Sequence, residues 1–177
     1  MGTYKKLKEE MVYKSRLVTL YDDYLELPNG RTVVYDLIKH SGGAGVLPID
    51  EQGNLILVKQ YRNSVDAEVY EIPAGLLEEH ESGEQCARRE LEEEIGFRAE
   101  NMEFVAMVYG AIGVCNEQTE IYLAEQVVSG KRNPDPEEFI EIVHIPLEQA
   151  IEMIRKKEIV DAKTVIAIQY YQLKQVF

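Results

Sequence analysis

The chain has 177 residues, 45% of them hydrophobic, which suits one globular domain or a domain with a small appendage. Its net charge of −13, with no dense basic patch, argues against a partner held by its phosphate backbone, since nucleic-acid affinity comes largely from Lys and Arg on phosphates. A phosphorylated small molecule stays open, because a divalent cation can bridge two negative partners.

The two cysteines, Cys86 and Cys115, have neither zinc spacing nor the density of a disulfide scaffold, so a reducing cytoplasm is expected. The longest apolar run, Phe104 to Cys115, is too short to span a bilayer, and the opening "MGTYKKLKEE" has no signal-peptide core. The expectation is a soluble cytoplasmic protein without a membrane or nucleic-acid partner.

In chain order, "YKSRLVTLYDDYLELPNGRTVVYDLIKH" reads as two or three strands, with a turn at "LPNG". "GGAGVLPIDEQGNLILVKQYR" reads as a hairpin-like pair around "DEQG", and "AEVYEIP" as a short strand ended by Pro73. A helix follows from about Ser82, where Ser82 and Gln85 are spaced as a capping box, and Gly96 suits its C-terminal stop. "MEFVAMVY" and "QTEIYLAEQVV" are strands separated by the loop "GAIGVCNE", and "EFIEIVHIP" is a last strand. Residues 51–53 and 129–136 read as surface turns. "LEQAIEMIRKKE" and "DAKTVIAIQYYQLKQ" have the apolar spacing of amphipathic helices. Strands outnumber helices and their turns are short, so the class is α+β, with helices packed on a sheet.

The chemistry concentrates in "AGLLEEHESGEQCARRELEEEIGF". A glutamate-rich run is ordinarily a solvated helix face. At about 100° per residue, however, Glu90, Glu93 and Glu94 share one arc, beside an apolar stripe of Ala87, Leu91 and Ile95. Glu78, Glu79, Glu84 and Glu92 fall elsewhere and read as solvent-facing. Arg89 lies one turn before Glu93, at ion-pair spacing. Like charges one turn apart cost a few tenths of a kcal/mol per pair, roughly, and an oxygen-seeking divalent cation reverses that sign.

Gly75, Glu81, Arg89, Glu90, Leu91, Glu93, Glu94, Gly96 and Phe97 match the Nudix box without a gap or substitution; a chance match is on the order of one in a million. The chain thus resembles the Nudix hydrolases. That resemblance implies an α/β/α sandwich around a mixed sheet, with the box as loop–helix–loop. It also implies Glu90 and Glu94 as main metal ligands, Glu93 as a further ligand or water-orienting group, and the Ala74 carbonyl completing the site. Arg89 would steady the glutamates and Glu81 would bind or tune a metal more peripherally. The implied cofactor is Mg²⁺, with Mn²⁺ as a substitute.

"VKQYR", "EIPAG", "DAKTVIAIQYYQL" and the N-terminal β segment extend the similarity to ADP-ribose pyrophosphatases and related nucleotide-sugar hydrolases. That subgroup implies an N-terminal antiparallel β segment, 1–42, which dimerises and helps form the substrate pocket, ahead of a hydrolase domain, 43–177. It implies a homodimer and a nucleotide substrate, with Arg62 and Glu71 on the substrate side; Tyr35 is a further substrate-side candidate that could stack on a base or simply pack as a strand aromatic. Glu117 would be the catalytic base, with Glu120 as the alternative. Two positions depart from the ADP-ribose pattern: Ile112 stands where a proline is typical, and Tyr35 where many relatives have arginine. They bring GDP- or ADP-linked hexoses into competition with ADP-ribose. A non-catalytic nucleotide-binding module is the other reading, although such modules usually show a damaged box.

Overall fold

Residues 3–134 and 139–176 are described in the computed structural model of the chain; the end of the turn expected over 129–136 lies outside them, as does the first residue of "EFIEIVHIP". The chain forms two compact units, Met1–Gly42 with Tyr109–Gln118, and Gly43–Val108 with Thr119–Phe177.

In the first unit, strands β1 (Lys5–Lys14), β2 (Thr19–Glu26) and β3 (Thr32–Lys39) form an antiparallel sheet in that order. The β2–β3 turn is the expected one: Gly30 sits at φ +80°, and its N–H donates to the Leu27 carbonyl. The strand pattern in the sequence starts at Tyr13, whereas β1 begins at Lys5. Its "KKLKEEMVYK" carries too many charges to read as a strand. Pairing with β2 and cross-strand ion pairs, Lys6–Asp23 to β2 and Lys39–Glu9 to β3, tie it down instead. The segment 109–118 joins this unit through Ile38, whose N–H donates to the Val114 carbonyl and whose carbonyl accepts from the Asn116 N–H.

The second unit is built on a mixed sheet. Strands β4 (Gly43–Ile49), β5 (Leu55–Arg62), β6 (Ala67–Glu71) and β7 (Ala74–Leu76) precede helix α1 (Gly83–Ile95). Then come β8 (Phe97–Arg98), β9 (Glu103–Tyr109), β10 (Gln118–Glu125), β11 (Val128–Ser129), β12 (Glu141–Ile145), α2 (Leu147–Arg155) and α3 (Ala162–Lys174). The strand order is β12-β5-β4-β10-β9, with β6 on β5 and β7 on β4. β4 and β10 run parallel; β4 with β5, and β5 with β12, run antiparallel. The three-residue β7 was not foreseen: it exists because Ala74, Gly75 and Leu76 pair with β4.

Side chains alternate across the central strands, as the pleat requires. Leu47, Leu57, Ile121 and Leu123 face α2 and α3, packing with Ala150, Met153, Ala167 and Ile168. Val46, Ile56, Val58 and Tyr122 face α1, packing with Cys86, Ala87, Leu91 and Ile95. Helices therefore cover both faces, and this unit is the expected α/β/α sandwich. The apolar stripe of α1 is buried as its spacing required. Its ends are also as read: Ser82 and Gln85 form a reciprocal capping box, and Gly96 closes the helix in the left-handed region at φ 73°.

Candidate functional site

The docking of α1 decides which glutamates matter. Burying Ala87, Leu91 and Ile95 brings Glu90 and Glu94 against the sheet side, where they are 8% and 2% exposed, while Glu93 stays half-exposed. Both buried carboxylates reach the short strand that enters the box. The Ala74 N–H donates to Glu94 Oε2 at 3.1 Å. A Cβ added to Gly75 would stand 1.8 Å from Glu90 Oε1, so the glycine leaves the space that this carboxylate fills.

Arg89 holds the outer rim. Its Nε and Nη2 donate to the two Glu81 oxygens, each at 2.9 Å, its Nη1 to Glu90 Oε1 at 2.6 Å and Glu93 Oε2 at 3.2 Å, and Nη2 also to the Leu76 carbonyl at 3.0 Å. The hydrogen bond from Arg89 holds the Glu81 carboxyl below its ordinary pKa, and Glu81 in turn raises that of Arg89. Beneath lies Cys86, whose thiol burial pushes up to about 12, which makes it inert packing rather than a nucleophile. Among the described residues, no three acidic, histidine or cysteine side chains converge as a ready-made metal cage. The donor set still suits a hard cation: two buried carboxylates meet at residues 74 and 75, with Glu93 beside them.

Of the other acids read as solvent-facing, Glu78, Glu79 and Glu84 are exposed. Glu92 differs: it pairs with Arg98 at 2.5 Å and accepts from the Lys131 N–H, tying α1 to the turn beyond it.

Arg62 and Glu71 sit in the same unit. Arg62 Nε and Nη2 grip the buried Glu71 carboxylate at 2.6 and 3.0 Å. Burial alone would raise Glu71, but the Arg62 hydrogen bonds and the Lys163 ammonium outweigh it and hold the carboxyl below its usual range. Glu94 contributes to the field that raises Arg62, so the pair lies within electrostatic reach of the box. Lys163 was not singled out from sequence; the only signal was "DAKT" within the stretch resembling the hydrolase subgroup.

Tyr35 and Glu117 belong to the first unit. Tyr35, half-exposed on β3, lines a cavity of about 430 Å³ with Asp23, Tyr109 and Ile112. Glu117 lies in the loop after β9, its carboxylate 3.7 Å from His40 Nδ1. Glu120 is placed differently: it lies in β10, accepts from the Tyr122 hydroxyl at 2.5 Å, and fills the space a side chain at Gly83 would occupy. The structure thus groups Ala74, Glu81, Arg89, Glu90, Glu93 and Glu94, with Arg62 and Glu71 in the same unit, and puts Tyr35 and Glu117 in the other.

An α/β/α sandwich presenting buried, arginine-backed glutamates on a loop and helix defines a pyrophosphohydrolase class. The chain belongs to the Nudix family: the NUDIX domain profile matches residues 39–167. It is 38% identical over 173 residues to an ADP-ribose pyrophosphatase of Bacillus subtilis (strain 168), covering 97% of this chain and 94% of the relative. It is 37% identical over 174 residues to a methanol dehydrogenase activator of Bacillus methanolicus, with 97% and 94% covered. Its fold also matches the crystal structure of an ADP compounds hydrolase, with a TM-score of 0.86 and 25% identity over 97% of this chain and 94% of that one.

Proposed function

We propose that this enzyme hydrolyses the pyrophosphate bond of ADP-ribose or a nucleoside diphosphate sugar in a divalent-metal-dependent reaction, releasing a nucleoside monophosphate and a sugar phosphate. The observation that carries this reading is the convergence of the buried Glu90 and Glu94 carboxylates on Ala74 and Gly75 within a complete box. Glu90, Glu94, Glu93 and the Ala74 carbonyl would hold the cation, Mg²⁺ or Mn²⁺. Bound there, it would offset the diphosphate charge and lower the pKa of the attacking water.

The remaining work falls to the chain's own groups. Arg89 holds the Glu81, Glu90 and Glu93 carboxylates in place through its hydrogen bonds. Glu93, half-exposed on the same face, is suited to orient water. Glu117 takes the proton of the attacking water as a new P–O bond forms and the bridging P–O bond breaks. Its loop position and exposure favour it over Glu120, which is engaged by Tyr122. Arg62, held by Glu71, faces the diphosphate or its ribose, and Tyr35 offers a ring to the base.

Free Cys86 and Cys115 are in keeping with a cytoplasmic enzyme, and among the described residues no helix is long and apolar enough to cross a membrane. The long edge strand β1, with Tyr4, Met11, Val12 and Tyr13 exposed on and beside it, supports a homodimer through the N-terminal sheet.

A panel of ADP-ribose and ADP- and GDP-hexoses with Mg²⁺ or Mn²⁺, read by phosphatase-coupled phosphate release, tests the activity. Turnover of at least one is expected; tight binding with no turnover of any would identify a binding module instead. Glu94→Gln should cut kcat roughly 100- to 1,000-fold while the melting temperature holds, and full activity in a folded variant would remove Glu94 from the metal set.

A further inference from the structure

The first turn of α3 grips the chain just ahead of the box. Asp161 caps the helix: its carboxylate accepts from the Thr164 N–H at 3.0 Å and from the Thr164 hydroxyl at 2.6 Å. The same hydroxyl oxygen accepts from the Ile72 N–H at 2.8 Å, fixing the backbone two residues before Ala74. One position earlier, Lys163 Nζ donates to Glu71 Oε2 at 2.6 Å and lies 3.1 Å from Asp161 Oδ1. Glu71 is therefore shared between two cations. Arg62, Glu71, Asp161 and Lys163 line one cavity of about 540 Å³ in this unit.

We infer that Lys163 is a positioning residue for substrate binding: by holding the buried Glu71 carboxylate it aims Arg62 and keeps part of the Arg62 charge available to the substrate. This rests on the reading that Arg62 meets the diphosphate or its ribose. A guanidinium has five N–H donors, and Glu71 takes two, so an edge remains for ligand oxygens. Arg62 is 43% exposed along its side chain, whereas Glu71 is 5% exposed. Glu71 is thus the fixed point and Arg62 the arm. With Lys163 present, one carboxylate serves two cations and Arg62 retains attraction for an anion. With Lys163 removed, the whole carboxylate turns to Arg62, and one of its two restraints is gone. Asp161 draws on the Lys163 ammonium from the other side, holding it between the helix cap and β6.

The test is steady-state hydrolysis of ADP-ribose, or of ADP-glucose if that is turned over faster, by four variants checked for folding by thermal melting. Lys163→Met should raise KM about tenfold with kcat within about threefold, Lys163→Arg should restore most of the loss, and Lys163→Met should add little to Arg62→Met. If Arg62→Met raises KM and Lys163→Met does not, or if the two effects simply add, the inference is overturned while Arg62 keeps its role. If Arg62→Met leaves KM unchanged, the substrate role of Arg62 fails and the inference with it. Should Lys163→Met not fold, Glu71→Gln is compared with Glu71→Gln/Lys163→Met. Equal KM values are expected, and a further rise in the double variant would show that Lys163 acts other than through Glu71.

Discussion

At the scale of single residues, Gly75 and Glu71 make the most specific demands. An alanine at position 75 adds one methyl where the Glu90 carboxylate lies, 1.8 Å away. The obstructing atoms are the end of a flexible side chain, so the fold can yield, but the displaced carboxylate leaves its site. Gly75→Ala is expected to move the melting temperature by only a few degrees yet lower kcat by about 100-fold, as misplacement of a catalytic group does. Activity near wild type would show that Glu90 need not sit there. Glu71 gives a pH prediction. Its folded pKa lies below the ordinary value of 4.5, so its pairing stabilises the protein at all pH above that value. That contribution is lost as pH falls through the lowered native pKa. The melting temperature of Glu71→Gln should lie about 5 °C below wild type at pH 7, and the gap should close as pH drops below 4.5. A gap that widens in acid would contradict the sign.

At the scale of elements, α1 was the most legible part of the chain because its instructions are local. Ser82, Gln85, the stripe of Ala87, Leu91 and Ile95, and Gly96 lie within one short segment, and each behaves as its spacing requires. Ser82→Ala should remove one side of the capping box and cost about 1 kcal/mol. That loss should lower the melting temperature by about 2–4 °C in a chain of this size. An unchanged midpoint would mean that docking, not capping, fixes this end. What was not legible depended on distant partners. β7 is too short to announce itself and is made by β4; Glu92 finds Arg98 and the Lys131 amide only after the chain turns back. Lys163 and Thr164 reach Glu71 and Ile72 from the far end of the sequence, a pairing no periodicity encodes. The charge-rich β1 was hidden for a related reason, since cross-strand partners rather than an apolar face hold it.

At the scale of the whole molecule, the proposed dimer is the clearest expectation. β1 closes one side of a three-stranded sheet and carries exposed Met11, Val12 and Tyr13 next to its charges. A second copy would cover that edge. Light scattering at micromolar concentration should give about twice the 20.3 kDa chain mass, and a monomer at that concentration would refute it. Met11→Glu should shift the mass toward the monomer.

The pairing of β4 with β10 also sets an order of events. β4 is buried along its whole length, and its parallel partner lies on the far side of α1 and β9 in the sequence. During synthesis the box helix therefore leaves the ribosome before the strand that completes its docking surface, including Tyr122 and Ala124. Until that strand emerges, the nascent chain exposes the apolar stripe of α1 and an open β4 edge, which is the interval in which a chaperone has something to bind.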